Sequence, residues 1–410
     1  MKVRKMSVRD LEVRGKAVFV RVDFNVPLKN GAVADDTRVR ASLPTLRLIL
    51  ARAGRPVIAS HLGRPKGRAV AEMSLRPVAA HLAGLLGTRV HMAADCVGEA
   101  VEAQARGIGA GEALLLENLR FHPEEEQNDA EFSRRLARPA ELYVNDAFGT
   151  AHRAHASVVG ITRHLPTPAA GLLMDGEIAA LTRLRDHPDK PYVAVLGGAK
   201  VSDKIDLMLN LIDRVEAILI GGAMAYTFMK ARGVPVGSSR VESDRIDHAD
   251  AIMTRAMSSG VRVRLPLDHV VARSPDPGRD SEATPGPRIE EGFIGLDVGP
   301  KTREAYAREI AGARTVFWNG PLGLCEVPPY DEGTGAMARA IAATGAFSVV
   351  GGGDSIAAVN RLGLGGRFSH LSTGGGASLE FLSGVELPGV LALADASAGP
   401  PADPARRADR

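Results

Sequence analysis

Cysteine is scarce in this chain. Among 410 residues there are two, Cys96 and Cys325, far apart and in no Cys-x-x-Cys pair. That argues against a zinc or redox motif built on paired cysteines, and two lone thiols fit a reducing, cytoplasmic setting. Long apolar runs are missing too, so no membrane span is expected. The opening segment MKVRKMSVRDLEVRGKAV has early positive charge without an apolar stretch behind it, unlike a secretory signal. Charge of one sign is not in excess: the formal net charge is +3, which gives no whole-chain case for nucleic acid. Two nucleotide motifs are absent. No G-x-x-x-x-G-K-[ST] occurs, which excludes a P-loop, and no G-x-G-x-x-G occurs, which argues against a dinucleotide fingerprint or a protein-kinase loop.

What the chain does contain is alternation. Short runs rich in Val, Ile and Leu, apolar on both faces, stand at 17–24, 56–60, 113–118 and 141–147, and again at 192–198, 217–222, 262–272, 315–320 and 347–353. Such runs read as buried parallel strands. Amphipathic stretches at 39–53, 74–87, 203–214 and 333–343 lie between them, giving βαβ units and an α/β fold of two Rossmann-like three-layer domains with parallel sheets. The length suits two or three domains. The two series divide near 166–190, where 171–187 reads as a connecting helix; this places one domain at 1–170 and the other at 188–378. Residues 273–288 read as a surface loop, and 396–410, rich in Ala, Pro, Asp and Arg, as a disordered tail.

The two series end their strands differently, and ligands of open α/β sheets bind beyond those carboxyl ends. In the first series the ends carry polar and basic groups: Asp23 and Asn25 in RVDFNVP, alternating along the strand and so facing one way; Arg38 at the next helix start; His61 and Arg64 in SHLGRP; Arg120 in LENLRF; Arg153 in GTAHRAHAS, beside His152 and His155. A single loop arginine is ordinarily just solvated. Repetition at successive strand ends points instead to an anion, because the guanidinium fork matches phosphate and carboxylate oxygens. A small molecule with a phosphate, a hydroxyl and a carboxylate would suit the set. In the second series the ends are glycines. GGAKVSDKI supplies Lys200 and Lys204 at a strand–turn–helix; NGPLGLCE supplies Glu326, suited to ribose hydroxyls; GGGDS supplies Gly352, Gly353, Asp354 and Ser355; STGGGASLEFL supplies Gly374, Gly375 and Gly376 before another helix. Glycines admit phosphate close to the backbone, and a helix start adds oriented N–H groups. Asp354 has two readings, a helix N-cap and a Mg²⁺ ligand acting through water.

These motifs, with GGAMAYTF (221–228) and GLDVGP (295–300), stand in the order and at the spacing of the phosphoglycerate kinase family, and the chain resembles that family over residues 1–393. The resemblance implies a bilobal, monomeric enzyme with a central cleft and hinge helix. It implies the reaction 1,3-bisphosphoglycerate + ADP ⇌ 3-phosphoglycerate + ATP with Mg²⁺, with no nucleic-acid or membrane partner. By the same resemblance Asp23, Phe24 and Asn25 serve the carboxyl and hydroxyl region of glycerate. His61, Leu62, Gly63, Arg64, Arg120 and Arg153 serve the phosphate at C3, and Arg38 reaches the transferring phosphoryl group. Lys200 and Lys204 belong to the nucleotide phosphates, Gly295 and Leu296 to the adenine pocket and Glu326 to the ribose. Gly352, Gly353, Asp354 and Ser355 form the phosphate and Mg²⁺ loop, with Asp354 toward the metal, and Gly374, Gly375 and Gly376 join Arg38 and Lys204 as catalytic groups. The family's last segment returns to the first domain, here 379–393 and chiefly 387–393, while 171–187 and the segment around Ser378 are the hinge candidates. Leu322, Cys325 and Ser238 depart from the family's usual residues without removing a catalytic group.

The acceptor in the ATP-consuming direction is a carboxylate. Such a group ordinarily titrates at about 3.5, so it is ionised near neutral pH and needs no general base, in keeping with the lack of any obvious base poised by a partner. Two other classes fit less well. GGGDSIA looks like a nucleophile elbow around Ser355, but Ala357 breaks G-x-S-x-G and only His370 follows as a triad histidine. A non-enzymatic nucleotide or anion binder would lose part of the set Arg38, Lys204, Glu326 and Asp354, all present here.

Overall fold

A computed structural model of the chain describes residues 4–276 and 281–396. It divides into two compact units. One is made by the described residues up to Ile178 with the segment that starts at Glu386, the other by Ala179–Val385. The tail expected at 396–410 lies outside the described residues beyond Ala396.

The first unit is built on β1 (Ala17–Arg21), β4 (Arg55–Ala59), β5 (Val90–Met92), β6 (Ala113–Leu115), β7 (Leu142–Asn145) and β8 (Ala169–Ala170), with a small hairpin of β2 (Leu28–Lys29) and β3 (Ala32–Val33) apart. The six strands are all parallel, in the order β5-β6-β4-β1-β7-β8. Both faces are covered, as the unbroken apolar runs require. Val18 and Val20 pack into a core with Val39, Leu43, Leu46 and Ile49 of the helix Thr37–Ala51 and with Val78 and Leu82 of the helix Arg76–Leu86. The intervening Phe19 stacks on Tyr143, both without solvent exposure. The strands β5 and β8 have no counterpart among the runs expected from sequence. Val90–Met92 is half-buried and three residues long, and Ala169–Ala170 is two small residues flanked by Pro168 and Gly171, so neither carries a hydrophobic signal.

The second unit contains β9 (Tyr192–Leu196), β10 (Ala217–Ile220), β11 (Arg262–Arg264), β15 (Thr315–Asn319), β16 (Phe347–Gly351) and β17 (His370–Ser372), parallel in the order β11-β10-β9-β15-β16-β17. Counted within the unit this is 3-2-1-4-5-6, the doubly wound order, whose switch point lies between β9 and β15. The run 262–272, expected as one strand, is two. Pro266 has no N–H to give a ladder, and after it β12 (His269–Ala272) leaves the parallel sheet to pair antiparallel with β13 (Glu282–Ala283) and β14 (Ile294–Val298). The expected loop 273–288 therefore contains a strand, β13, whose two residues are exposed and carry no hydrophobic mark. No helix among the described residues is long and apolar enough to cross a membrane.

The stretch expected to connect the domains is the helix Leu172–Asp186, and the division between units falls inside it, after Ile178. Its start is fixed by Asp146 at the end of β7. One carboxylate oxygen accepts from the N–H groups of Leu173 (3.0 Å) and Met174 (3.3 Å). The chain rejoins the first unit at Glu386 rather than at 379. Phe381 and Leu382 are buried in the helix Gly376–Leu382, the Arg185 guanidinium lies over the Phe381 ring, and Asn210 donates to the Ser383 carbonyl, all within the second unit. From there Gly389 donates to the Ala151 carbonyl (2.8 Å), Met6 donates to that of Ala394 (2.7 Å), and Lys5 reaches the Leu393 carbonyl (3.0 Å). Ser378 sits buried in the helix Gly376–Leu382, its hydroxyl 2.7 Å from that of Ser372.

Complete burial raises the Asp146 carboxyl to about 7, against the lowering pull of its hydrogen bonds. A folded-state pKa above the unfolded value means that the folded protein holds the extra proton. Stability from this group is therefore full below about pH 4 and declines as pH rises to about 7. Asp146→Asn keeps the acceptor and removes the titration. In urea unfolding at pH 5 and pH 8 the variant is expected to lose less stability across that interval than the parent; equal losses would show that Asp146 does not titrate there.

Candidate active site

In the first unit the site grows from the ends of β1, β4, β6 and β7. Ordered pairing of β1 stops at Arg21, so Asp23 and Asn25 are not strand residues facing one way, as the alternation suggested. They are joined by a turn in which the Asn25 N–H donates to Asp23 Oδ1 (3.2 Å). Phe24 anchors that turn. The residue is fully buried, its N–H donates to Ser60 Oγ at 2.8 Å and its carbonyl accepts from the Val26 N–H at 2.8 Å, so Phe24 holds the turn in place. Arg38, in the first turn of the helix Thr37–Ala51, donates through Nη1 to Asp23 Oδ2 at 2.8 Å and keeps about two-fifths of its side chain in solvent.

Gly63 adopts a φ of +63°, a left-handed conformation natural to glycine. That turn lets its N–H donate to Asn25 Oδ1 (2.9 Å) while its carbonyl accepts from Arg120 Nη1 (2.8 Å), tying three strand ends together. Asn118 completes the clamp. Its amide carbonyl accepts from the N–H groups of Leu62 and Arg120, and its Nδ2 donates to the carbonyls of Leu62 and Met73. Leu62 is buried, like Phe24, and its backbone N–H and carbonyl are both engaged by Asn118. Arg120 is buried, with Glu126 3.1 Å from its Nε. Arg153 is half-buried, its Nε 3.2 Å from His152 Nε2, and Arg64 is exposed.

His61 stands at the centre. It is buried, with Nδ1 3.3 Å from Arg21 Nη2 and 4.0 Å from Asp23 Oδ1. Burial first, then the charges of Arg21, Arg120, Arg38 and Arg153, push its pKa well below the usual histidine value. The imidazole is therefore neutral. With Nδ1 accepting from Arg21, its proton resides on Nε2, leaving a donor for a ligand. His155 is treated alike, lowered to about 3 by burial and by Arg21, Arg120 and Arg153. The two histidines feel Arg21, Arg120 and Arg153 in common, and His61 feels Arg38 as well; Arg64 is not among the charges acting on either.

Arg21 carries no signal in the sequence, and neither does what holds it. It is almost wholly buried, donating from Nε to Ser157 Oγ (2.8 Å) and from Nη1 to the Val22 carbonyl. Ser157 in turn donates from Oγ to Glu125 Oε1 (2.5 Å) and from N–H to Oε2 (2.9 Å). Glu125 is completely buried, and burial raises its pKa against the pull of Arg21 and Ser157. In sequence it is the middle of an EEE run, which looks like a solvated helix start.

In the second unit the glycine turns meet at the switch point. A side chain on Gly197 would come within 2.1 Å of the Pro321 carbonyl, one on Gly320 within 2.3 Å of the Gly197 carbonyl, and one on Gly222 within 2.6 Å of the Gly198 nitrogen. These glycines are explained by the stacking of strand-end backbones on one another. Lys204 is buried and donates from Nζ to the Asn319 side-chain oxygen, bridging the loop after β9 to the end of β15. Burial lowers its pKa to about 8, with Asp203 pulling the other way. Asn319 is a neutral group at the end of an apolar run, and nothing in the sequence marks it. Lys200 is exposed.

Gly352, at φ +92°, caps the helix Gly353–Arg361, so Asp354 is not the N-cap. It lies in the first turn with its side chain exposed, and the capping role open to it in sequence is not taken. Ser355 is fully buried and its Oγ accepts from the Gly320 N–H (3.0 Å), which closes the nucleophile reading. Gly374 is buried, donating to Ser372 Oγ (3.3 Å), while Gly375 and Gly376 are exposed where the helix Gly376–Leu382 opens. A side chain on Gly295 would strike the Tyr226 hydroxyl at 2.0 Å, and its N–H donates to Ser239 Oγ. Leu296 is buried, its carbonyl accepting from Leu324 (2.8 Å), and Glu326 is exposed two residues along. The adjacent strands β9, β15, β16 and β17 thus deliver Lys204, Asn319, Asp354 and the 374–376 turn from their carboxyl ends. Arg38 and the basic set belong to the other unit.

The model of the phosphoglycerate kinase family matches residues 8–385. The chain is 51% identical over 391 residues to the phosphoglycerate kinase of Moorella thermoacetica, covering 95% of this chain and 99% of that one. It is 55% identical over 388 residues to that of Thermus thermophilus, covering 94% and 99%. Its fold is similar to the solved phosphoglycerate kinase of Coxiella burnetii, with a TM-score of 0.85 at 39% identity over 95% of this chain and 98% of the other.

Ser157→Ala removes the hydroxyl that reconciles Glu125 with Arg21 and leaves both buried and short of a partner. Urea unfolding is expected to report a loss of about 1–3 kcal/mol, the cost of a stranded buried polar group. A loss of only a few tenths would show that Ser157 does not hold the pair.

Proposed function

The chain belongs to the phosphoglycerate kinase family, and on that premise we propose which of its groups carry the reaction. The enzyme is a phosphotransferase of glycolysis with a carboxyl group as acceptor, interconverting 1,3-bisphosphoglycerate and ADP with 3-phosphoglycerate and ATP. The glycerate ligand is assigned to the unit ending at Ile178. His61 donates from Nε2 and Arg21, Arg64, Arg120 and Arg153 supply charge to the C3 phosphate, while Asp23 and Asn25 meet the hydroxyl and carboxyl region. The nucleotide, arriving with Mg²⁺, is assigned to Ala179–Val385. There Lys200, Lys204 and the Gly352, Gly353, Asp354 and Ser355 loop take its phosphates, Gly295 and Leu296 its base, and Glu326 its ribose. Asp354 suits Mg²⁺ because it is an exposed carboxylate, a hard oxygen donor, unspent on capping. The protein works as a cytoplasmic monomer.

In the ATP-forming direction the bond between phosphorus and the acyl oxygen breaks, its electron pair leaving with the carboxylate. A terminal oxygen of ADP forms the new bond. The carboxylate is ionised at neutral pH, so no base is required, and catalysis reduces to placement and to stabilising charge spread over the three equatorial oxygens. Arg38, Lys204 and the exposed N–H groups at Gly375 and Gly376, on the turn that Gly374 ties to Ser372 Oγ, are the groups for that charge. The observation that carries the assignment is the pairing state of the two cations. Arg38 is held by Asp23 at a half-open position, and Lys204 is buried on a neutral amide, so its charge is not cancelled by a bonded carboxylate.

A coupled assay with 3-phosphoglycerate, ATP and Mg²⁺ is expected to need all three components. Arg38→Ala is expected to lower kcat by about 10²-fold or more while changing KM far less, as removing a group that acts on transition-state charge does. Turnover near the parent's would remove Arg38 from the mechanism. Phosphate binding favours charged Lys204, whose pKa near 8 means the free enzyme loses that charge as pH rises. ATP affinity should therefore fall with a one-proton limb above about pH 8. Lys204→Met should bind ATP weakly at every pH without the limb; a limb that persists in Lys204→Met belongs to another group.

A further inference from the structure

Away from the phosphoryl-transfer groups, the first unit brings three unlike donors together. Asp95 and Cys96 lie in the bend after β5, and His122 follows the 3-10 turn Leu119–Phe121. One ligand atom from each lies within 4.8 Å of the others. His122 Nε2 is 2.7 Å from Asp95 Oδ1, which also accepts from the Cys96 N–H (2.6 Å). The thiol is fully buried at the base, while Asp95 and His122 keep solvent contact at the rim, so there is a way in. The His122 ring is braced by Phe132, with centroids 5.1 Å apart.

The charge around the three donors is mostly negative. Asp95 and the neighbouring Glu124 act on His122, Asp95 and Glu125 act on Cys96, and the cation facing His122 from the neighbouring helix, Arg135, is exposed and solvated. Of these carboxylates Glu125 is engaged by Ser157, which leaves Asp95 as the one grouped with the thiol and the imidazole.

We propose that Cys96 Sγ, His122 Nε2 and an Asp95 carboxylate oxygen form a site for a divalent transition metal of zinc's class, with water in the fourth position. One thiolate, one imidazole and carboxylate oxygen are zinc's donor types, whereas Mg²⁺ takes oxygen and water and rejects sulfur. The dimensions agree. In a tetrahedral site with bonds of about 2.0–2.3 Å the ligand atoms stand roughly 3.3–3.8 Å apart, so the His122–Asp95 pair opens slightly, and the sulfur, already within 4.8 Å of the other two, has at most about 1.5 Å to close. Binding releases the Cys96 thiol proton and the proton shared by His122 and Asp95 to solvent, with no change of oxidation state. Cysteine spacing could not announce this site, because it uses a single cysteine.

The test uses the full chain, stripped of metal by chelation and titrated with Co²⁺ in buffer containing Mg²⁺. The expected result is one equivalent bound, with a thiolate-to-cobalt charge-transfer band that one equivalent of Zn²⁺ abolishes. Cys325→Ser should keep the band, Cys96→Ser should lose it, and His122→Gln and Asp95→Asn should each weaken binding by about tenfold or more. Cys96 is buried and its serine variant could fail to fold. The His122 and Asp95 variants, at positions with solvent contact, carry the test alone in that case. Absence of saturable binding, a band that follows Cys325 instead, or wild-type affinity in both His122→Gln and Asp95→Asn would each overturn the proposal.

Discussion

Parallel strands buried on both faces admit polar groups only at their ends, and that constraint organises the rest of this molecule. Phe19 on Tyr143 and Val20 in the opposite core leave β1 no polar position before Arg21. Each charged group of consequence is therefore crowded at a carboxyl edge, in reach of other charges and short of water. Crowding of that kind creates mutual repulsion, and interleaving relieves it. Asp23 separates Arg38 from His61, Glu125 offsets Arg21 through Ser157, and Glu126 lies beside Arg120. His61 and His155 meet the same field by staying neutral.

The second unit solves a different problem with the same edge. Its strand ends must let backbones approach closely, and the glycines at 197, 222 and 320 are there for one another as much as for a ligand. A phosphate-binding reading and a packing reading of such glycines are not rivals. The same lack of side chains lets the β9 and β15 ends stack, with the Gly197 and Gly198 N–H groups donating to the Asn319 and Pro321 carbonyls, and Lys204 crosses the seam to the Asn319 side chain.

Much of this is legible in the sequence, for identifiable reasons. Strands such as Tyr192–Leu196 and Thr315–Asn319 are wholly buried runs, so composition alone marks them. Arg120, Arg153 and His61 stand out because several strand ends repeat one chemistry. The failures have the opposite cause. Arg21 and Glu125 act inside the protein, where a buried charge is visible only through its partner, and Ser157 is far from Arg21 and Glu125 in sequence. Strand alternation gives Asp23 and Asn25 a shared face, whereas a side chain–backbone turn sets their positions. Pro266 ends a strand that hydrophobicity alone would continue, and the return to the first unit waits until Glu386 because Phe381 and Leu382 are buried in the second.

The Arg38–Asp23 contact has an entropic meaning. Asp23 and the Asn25 carbonyl take N–H groups of Nη1 alone, so the rest of the guanidinium fork can meet an anion while the carboxylate stays in place. A long, flexible side chain is thus given its direction before any ligand arrives, and less rotamer freedom is left to lose when one does.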